Sequence, residues 1–122
     1  MLDPTLAGLI LYAPDADRLA AFYRDAVGIP LAPHRHGDIK EHLEGWLPAG
    51  AQPASRVHVA LWPGPARIVP TLRVADVEAA ARALVAAGAA QLHPPLELGE
   101  GKRLVSLRDP GGSEIRVIEI SE

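Results

Sequence analysis

The sequence predicts an α+β fold made of two tandem βαβββ modules. Two observations carry that expectation. The chain repeats itself at an offset near 60 residues, and within each repeat the apolar spacing switches from strand to helix and back. The stretch "LILYAPDADRLAAFYRDAVGI" (9–29) parallels "TLRVADVEAAARALVAAGA" (71–89). Asp15 matches Asp76 at an offset of 61 and Gly28 matches Gly88 at 60, so one residue is lost in between.

The paired residues have a physical meaning. An Asp carboxylate accepts the orphan N–H groups of a first helical turn, and Gly enters the left-handed conformation that ends a helix. Helices are therefore expected near 16–27 and 76–87. Leu19, Phe22, Tyr23 and Val27 form the apolar face of the first, and Val77, Ala80, Ala81, Leu84 and Val85 that of the second. The strands after the first helix are expected in "IPLAPHR", "HLEGWL" and "RVHVALW". Those after the second are expected in "AQLHPPLEL", "KRLVSLR" and "SEIRVIEI". Pro33, Pro94 and Pro95 confine the strand after each helix to a sheet edge or an irregular run. The segment "PAGAQPAS" is a loop by composition, and "PGPAR" joins the halves. The modules run about 6–62 and 67–120 in a single domain, because half a chain of this length buries too little surface alone.

Composition excludes several functions. A formal charge of -3 without a Lys/Arg run leaves no footprint for nucleic acid. The absence of cysteine removes disulfides, thiolate catalysis and Cys-ligated zinc. "MLDPTLAGLILYAPD" has no basic start and only a short apolar run, so neither a signal peptide nor a membrane span is expected. A soluble, cytoplasmic protein is the expectation.

"LILYAPDADRLAAFYRDAVGIPL", with Asp15, Leu19, Phe22 and Tyr23, resembles the opening module of the vicinal oxygen chelate superfamily. That superfamily includes glyoxalase I, extradiol dioxygenases, fosfomycin-resistance enzymes and bleomycin-resistance proteins. "VADVEAAARALVAAGA" and the closing "RDPGGSEIRVIE" resemble its second module, and the likeness spans roughly residues 6 to 119. It implies a curved mixed sheet around a central cavity. It also implies a divalent metal held by His or Glu near the start of each module's first strand and on its last strand. The matching positions here are Gly8, Val69, Arg116, and either Arg56 or His58. Gly and Val bring no ligand atom, and a protonated guanidinium binds no metal. At most His58 survives, and one imidazole does not hold a catalytic ion. No metal and no cofactor are expected.

Strand alternation then assigns the faces. Leu9, Leu11, Val57, Val59 and Leu61 are expected against the first helix, and Ile68, Leu72, Val74, Ile115 and Val117 in the second core. Tyr12, His58, Trp62, Thr71, Arg73 and Arg116 are expected to face the cavity, with Trp46 at its rim. Guanidinium forks bind carboxylate or phosphate and aromatic rings cover hydrocarbon, so these six are the expected contacts of a small anionic or aromatic ligand. Structural readings stand beside this one. Arg73 or Arg116 can pair with Glu114, Glu119 or Asp109, His58 can be a wall histidine, and Trp46 and Trp62 can be packing residues. In "PHRHGDIKEH", His34 and His36 have the i, i+2 spacing that brings two imidazoles to one cation, with Asp38, Glu41 and His42 close behind, but the polar, Gly37-containing run reads first as a loop, and His93 as a surface residue.

The functional expectation is a metal-free small-molecule-binding protein similar to the bleomycin-resistance branch, with no catalytic residue assigned. The alternative is a glyoxalase-like lyase, isomerase or dioxygenase with displaced ligands, or an acid–base catalyst using His58 and Tyr12. The resemblance further implies a homodimer.

Overall fold

The structure, a computed structural model, describes residues 2, 4–34, 42–48 and 56–121. Strand β1 (Thr5–Ala13) leads into helix α1 (Ala16–Ala21), continued by a π-helical segment, Phe22–Val27. Strands β2 (Ala32–His34), β3 (His42–Pro48) and β4 (Arg56–Pro63) follow. The second half has β5 (Arg67–Arg73), helix α2 (Val77–Ala86), β6 (Ala90–Gln91), β7 (Leu96–Gly99), β8 (Lys102–Arg108) and β9 (Glu114–Ile120). The expected α+β arrangement of two βαβββ modules is present, with the first strand after α2 split into β6 and β7, which both pair with β8. Two compact units form, Gly8–Ile68, and Met1–Ala7 with Val69–Glu122. No helix among the described residues is long and apolar enough to cross a membrane.

In the Gly8–Ile68 unit, β2 pairs antiparallel with β3, β3 antiparallel with β4, and β4 parallel with β1. The Asp15 carboxylate accepts the Arg18 N–H at 3.0 Å and starts α1. Leu11, Ala20, Ile29, Leu31, Val59 and Leu61 form the core, with Leu19 and Tyr23 packed on it. Two expected members of the helical face depart from it: Phe22 is 56% exposed and Val27 55%. Adjacent helical residues point about 100° apart, and Tyr23 rather than Phe22 takes the side that meets the core; Val27 is the last residue before the Gly28 stop.

In the other unit, β5 runs parallel to β9, β9 antiparallel to β8, and β8 pairs with both β6 and β7. Asp76 caps α2 by accepting from Glu78 N and Ala79 N, and Glu119 of β9 accepts the Val77 N–H at 3.0 Å. Gly28 and Gly88 stop the two helices with φ of 92° and 114°. Val74, Val77, Ala80, Ala81, Val105, Leu107 and Val117 form the core. Val85 lies at its margin, 44% exposed. On β5 the expected order is reversed at the start of the strand: Ile68 is 61% exposed while Val69 is fully buried. Arg103 of β8 ties this unit together, reaching Glu78 of α2 at 2.6 Å and Glu97 of β7 at 2.9 Å. The hydrogen bond to Glu78 holds its guanidinium above the ordinary arginine range.

The edge prolines act as expected, and His93 does more than a surface residue. His93-Pro94-Pro95 separates β6 from β7. Proline has no N–H to donate, and His93 bridges the gap with its side chain: Nε2 accepts the Ser106 N–H at 3.1 Å. Nδ1–H is left to donate to the Pro94 carbonyl at 2.7 Å.

Candidate functional site

Antiparallel register decides what meets on the sheet of the first unit. Trp46 lies opposite His58 and Glu44 opposite Ala60, so His42, Glu44 and Trp46 share a face with His58, Ala60 and Trp62. The other face carries Val57, Val59 and Leu61, all buried, as alternation predicts.

Glu44 is the focus of that face. Its Oε2 accepts from His42 Nε2 at 2.9 Å and from His58 Nε2 at 3.0 Å. An ionised carboxylate only accepts, which assigns Nε2–H to both rings. His42 is 6% exposed and stacks on Trp62 with ring centroids 4.0 Å apart and planes 21° from parallel. Trp46 tilts over His58 at 4.8 Å. The Arg56 guanidinium covers Trp46 at 4.3 Å, and that of Arg67 covers Tyr12 at 4.1 Å. The product is a carboxylate oriented by two imidazoles and walled by two indoles. Such a group accepts a hydrogen bond or a proton, and the indoles present flat apolar surface.

Of the six expected contacts, Tyr12, His58 and Trp62 come together in this unit. Parallel pairing sets Tyr12 beside Trp62 and Gly8 beside His58 on β1 and β4. In the other unit Thr71 sits beside Arg116, and Arg73 beside Ile118. Arg73 donates to the Ile120 carbonyl at 3.2 Å and lines a cavity of about 270 Å³ with Leu2, Thr5, Val74, Ala75 and Ile120. Arg116 Nε lies 3.9 Å from Glu114 Oε2, the pairing that the structural reading named.

Sequence alone singles out His42 only as a neighbour of the His34–His36 pair and does not single out Glu44. His42 closes the run taken as a loop, and the alternation His42, Glu44, Trp46 along "HLEGWL" was the available signal.

The residues described at the implied metal positions do not fit the metal of the superfamily the chain resembles. A Cβ at Gly8 would lie 3.0 Å from the His58 carbonyl oxygen, so β1 and β4 leave little room for a ligand side chain there. Val69 is buried and carries no donor atom, and Arg116 is a cation. Among the described residues, no group of three or more His, Asp or Glu is arranged to hold a metal. His36, Asp38, Glu41 and the His34 side chain lie outside the described residues.

Tandem βαβββ modules define a glyoxalase-type fold. The comparisons agree: the family described as a glyoxalase-like domain matches residues 8–118, and the chain belongs to that family. Its fold is similar to that of methylmalonyl-CoA epimerase from Streptomyces coelicolor, solved with 2-nitronate-propionyl-CoA. That likeness has a TM-score of 0.69 at 17% identity and covers 96% of this chain and 97% of the other. Methylmalonyl-CoA epimerase from Mycobacterium tuberculosis gives 0.65 at 22% identity, covering 96% and 88%. A hypothetical protein from Bacillus halodurans gives 0.66 at 14%, covering 98% and 96%. No curated protein sequence matches the chain.

Proposed function

We propose that this protein binds a small molecule on the β3–β4 face without a metal, in the manner of the bleomycin-resistance branch. The observation that carries the reading is Glu44 Oε2 held by both His42 and His58 between Trp46 and Trp62. A polar group of the ligand docks on this carboxylate–imidazole set, and its flat or apolar part lies along the indoles and Tyr12. For the other unit the proposal is narrower: Arg73 and Arg116, with Thr71 beside Arg116, offer guanidinium donors to an anionic group. The proposal extends to a cytoplasmic homodimer, for which light scattering would return twice the chain mass.

A thermal-shift screen of aromatic acids, small carboxylates and CoA thioesters in excess EDTA tests the reading. Stabilisation that survives EDTA and falls in Glu44→Gln is the expected result. Stabilisation that requires an added divalent ion contradicts it.

One observation favours a second reading. A carboxylate flanked by two N–H donors is equipped to take a proton from carbon beside a carbonyl and return it, the type of chemistry an acyl-CoA epimerase performs. Deuterium uptake from D2O next to the thioester of a bound acyl-CoA, lost in Glu44→Gln, would establish catalysis.

A further inference from the structure

Arg56 opens β4 and lies over Trp46, with the guanidinium carbon 4.3 Å from the ring centroid. Among the described residues no carboxylate pairs with it, whereas Arg24, Arg103 and Arg116 each have a Glu or Asp within 4.0 Å. An arginine whose guanidinium carbon sits over an indole face has N–H donors left for a ligand, and a guanidinium fork matches the two oxygens of a carboxylate or phosphate. The contact also removes much of the rotamer freedom that an exposed arginine would otherwise lose on binding. Trp46 in turn contacts His58, which donates to Glu44. A continuous series of contacts therefore runs Arg56–Trp46–His58–Glu44 along one sheet face.

From this arrangement we propose that Arg56 is the anion anchor of the β3–β4 face, taking a phosphate or carboxylate of the ligand while Trp46 carries the adjoining flat or apolar part. The inference rests on the binding reading above and names the charged end of the molecule bound there. It also separates two kinds of charge on the face: an acceptor at Glu44 and a donor fork at Arg56, joined by aromatic surface. The ligand that satisfies both has a hydrogen-bond donor at one end and an oxyanion at the other.

The test follows the indole N–H resonance of Trp46 by NMR, assigned with Trp46→Phe, during titration with inorganic pyrophosphate and, separately, with malonate. The resonance is expected to move saturably with at least one of them, and the responding anion identifies phosphate or carboxylate as the preferred group. Arg56→Gln should weaken that binding by roughly tenfold, while Arg56→Lys, which keeps charge without the planar fork, should retain an intermediate affinity. An unchanged affinity in Arg56→Gln, or no saturable shift with either anion, overturns the anchor. A CoA thioester that binds equally well to wild type, Arg56→Gln and Glu44→Gln overturns the anchor and the face reading together. Loss in Glu44→Gln alone removes only the anchor.

Discussion

Glu44 couples the packing of its face to the binding proposed for it, and two substitutions separate these roles. Glu44→Gln keeps an oxygen acceptor of the same shape, so the fold should persist while ligand affinity falls about tenfold. Glu44→Leu removes the acceptor and leaves Nε2–H of the buried His42 without it, which should cost about 1–3 kcal/mol in urea denaturation. Equal stability of the two variants would show that the carboxylate does not hold the rings. Tyr12, His58 and Trp62 were legible because alternation alone fixes their face. Glu44 was not, because its role depends on the register of β3 against β4, and register is set by pairing rather than by spacing within one strand. The same limit applies to Arg116: its inward side was readable, but its approach to Glu114, 3.9 Å away, was only one of several open pairings.

At the scale of elements, caps and proline breaks were legible and helix winding was not. Asp15 and Asp76 cap as expected because capping is a local hydrogen bond. Phe22 and Val27 are exposed, and the buried side of the helix is taken by Leu19, Ala20 and Tyr23. Phe22→Ala should therefore cost no more than about 1 kcal/mol, well below the 3–5 kcal/mol of a buried phenylalanine. The shift in urea midpoint at constant slope measures it. His93 illustrates the opposite case, a residue read as surface that substitutes for a strand. His93→Ala leaves the Ser106 N–H of β8 without its acceptor and should destabilise the protein by about 1–3 kcal/mol. Faster amide exchange at Ser106 should accompany that loss. Unchanged exchange at Ser106 would mean that the imidazole bond is dispensable.

For the whole molecule, the duplication of strand, capped helix and glycine stop was enough to reach the fold. It consists of local signals placed twice, and the family match over residues 8–118 agrees with it. Function follows less directly, since the same fold serves different chemistries. At the positions where the resemblance implies metal donors stand Gly8, Val69 and Arg116, which supply none, and His42 and His58 meet at Glu44. The most direct measurement is a crystal structure, grown in EDTA, of the protein with the strongest thermal-shift hit. The predicted result is ligand density on the β3–β4 face, a polar atom within about 3 Å of Glu44 or His58, and a ring or apolar part against Trp62 or Trp46. Ligand density elsewhere, or binding obtained only when a divalent ion is supplied and held by His58, would contradict it.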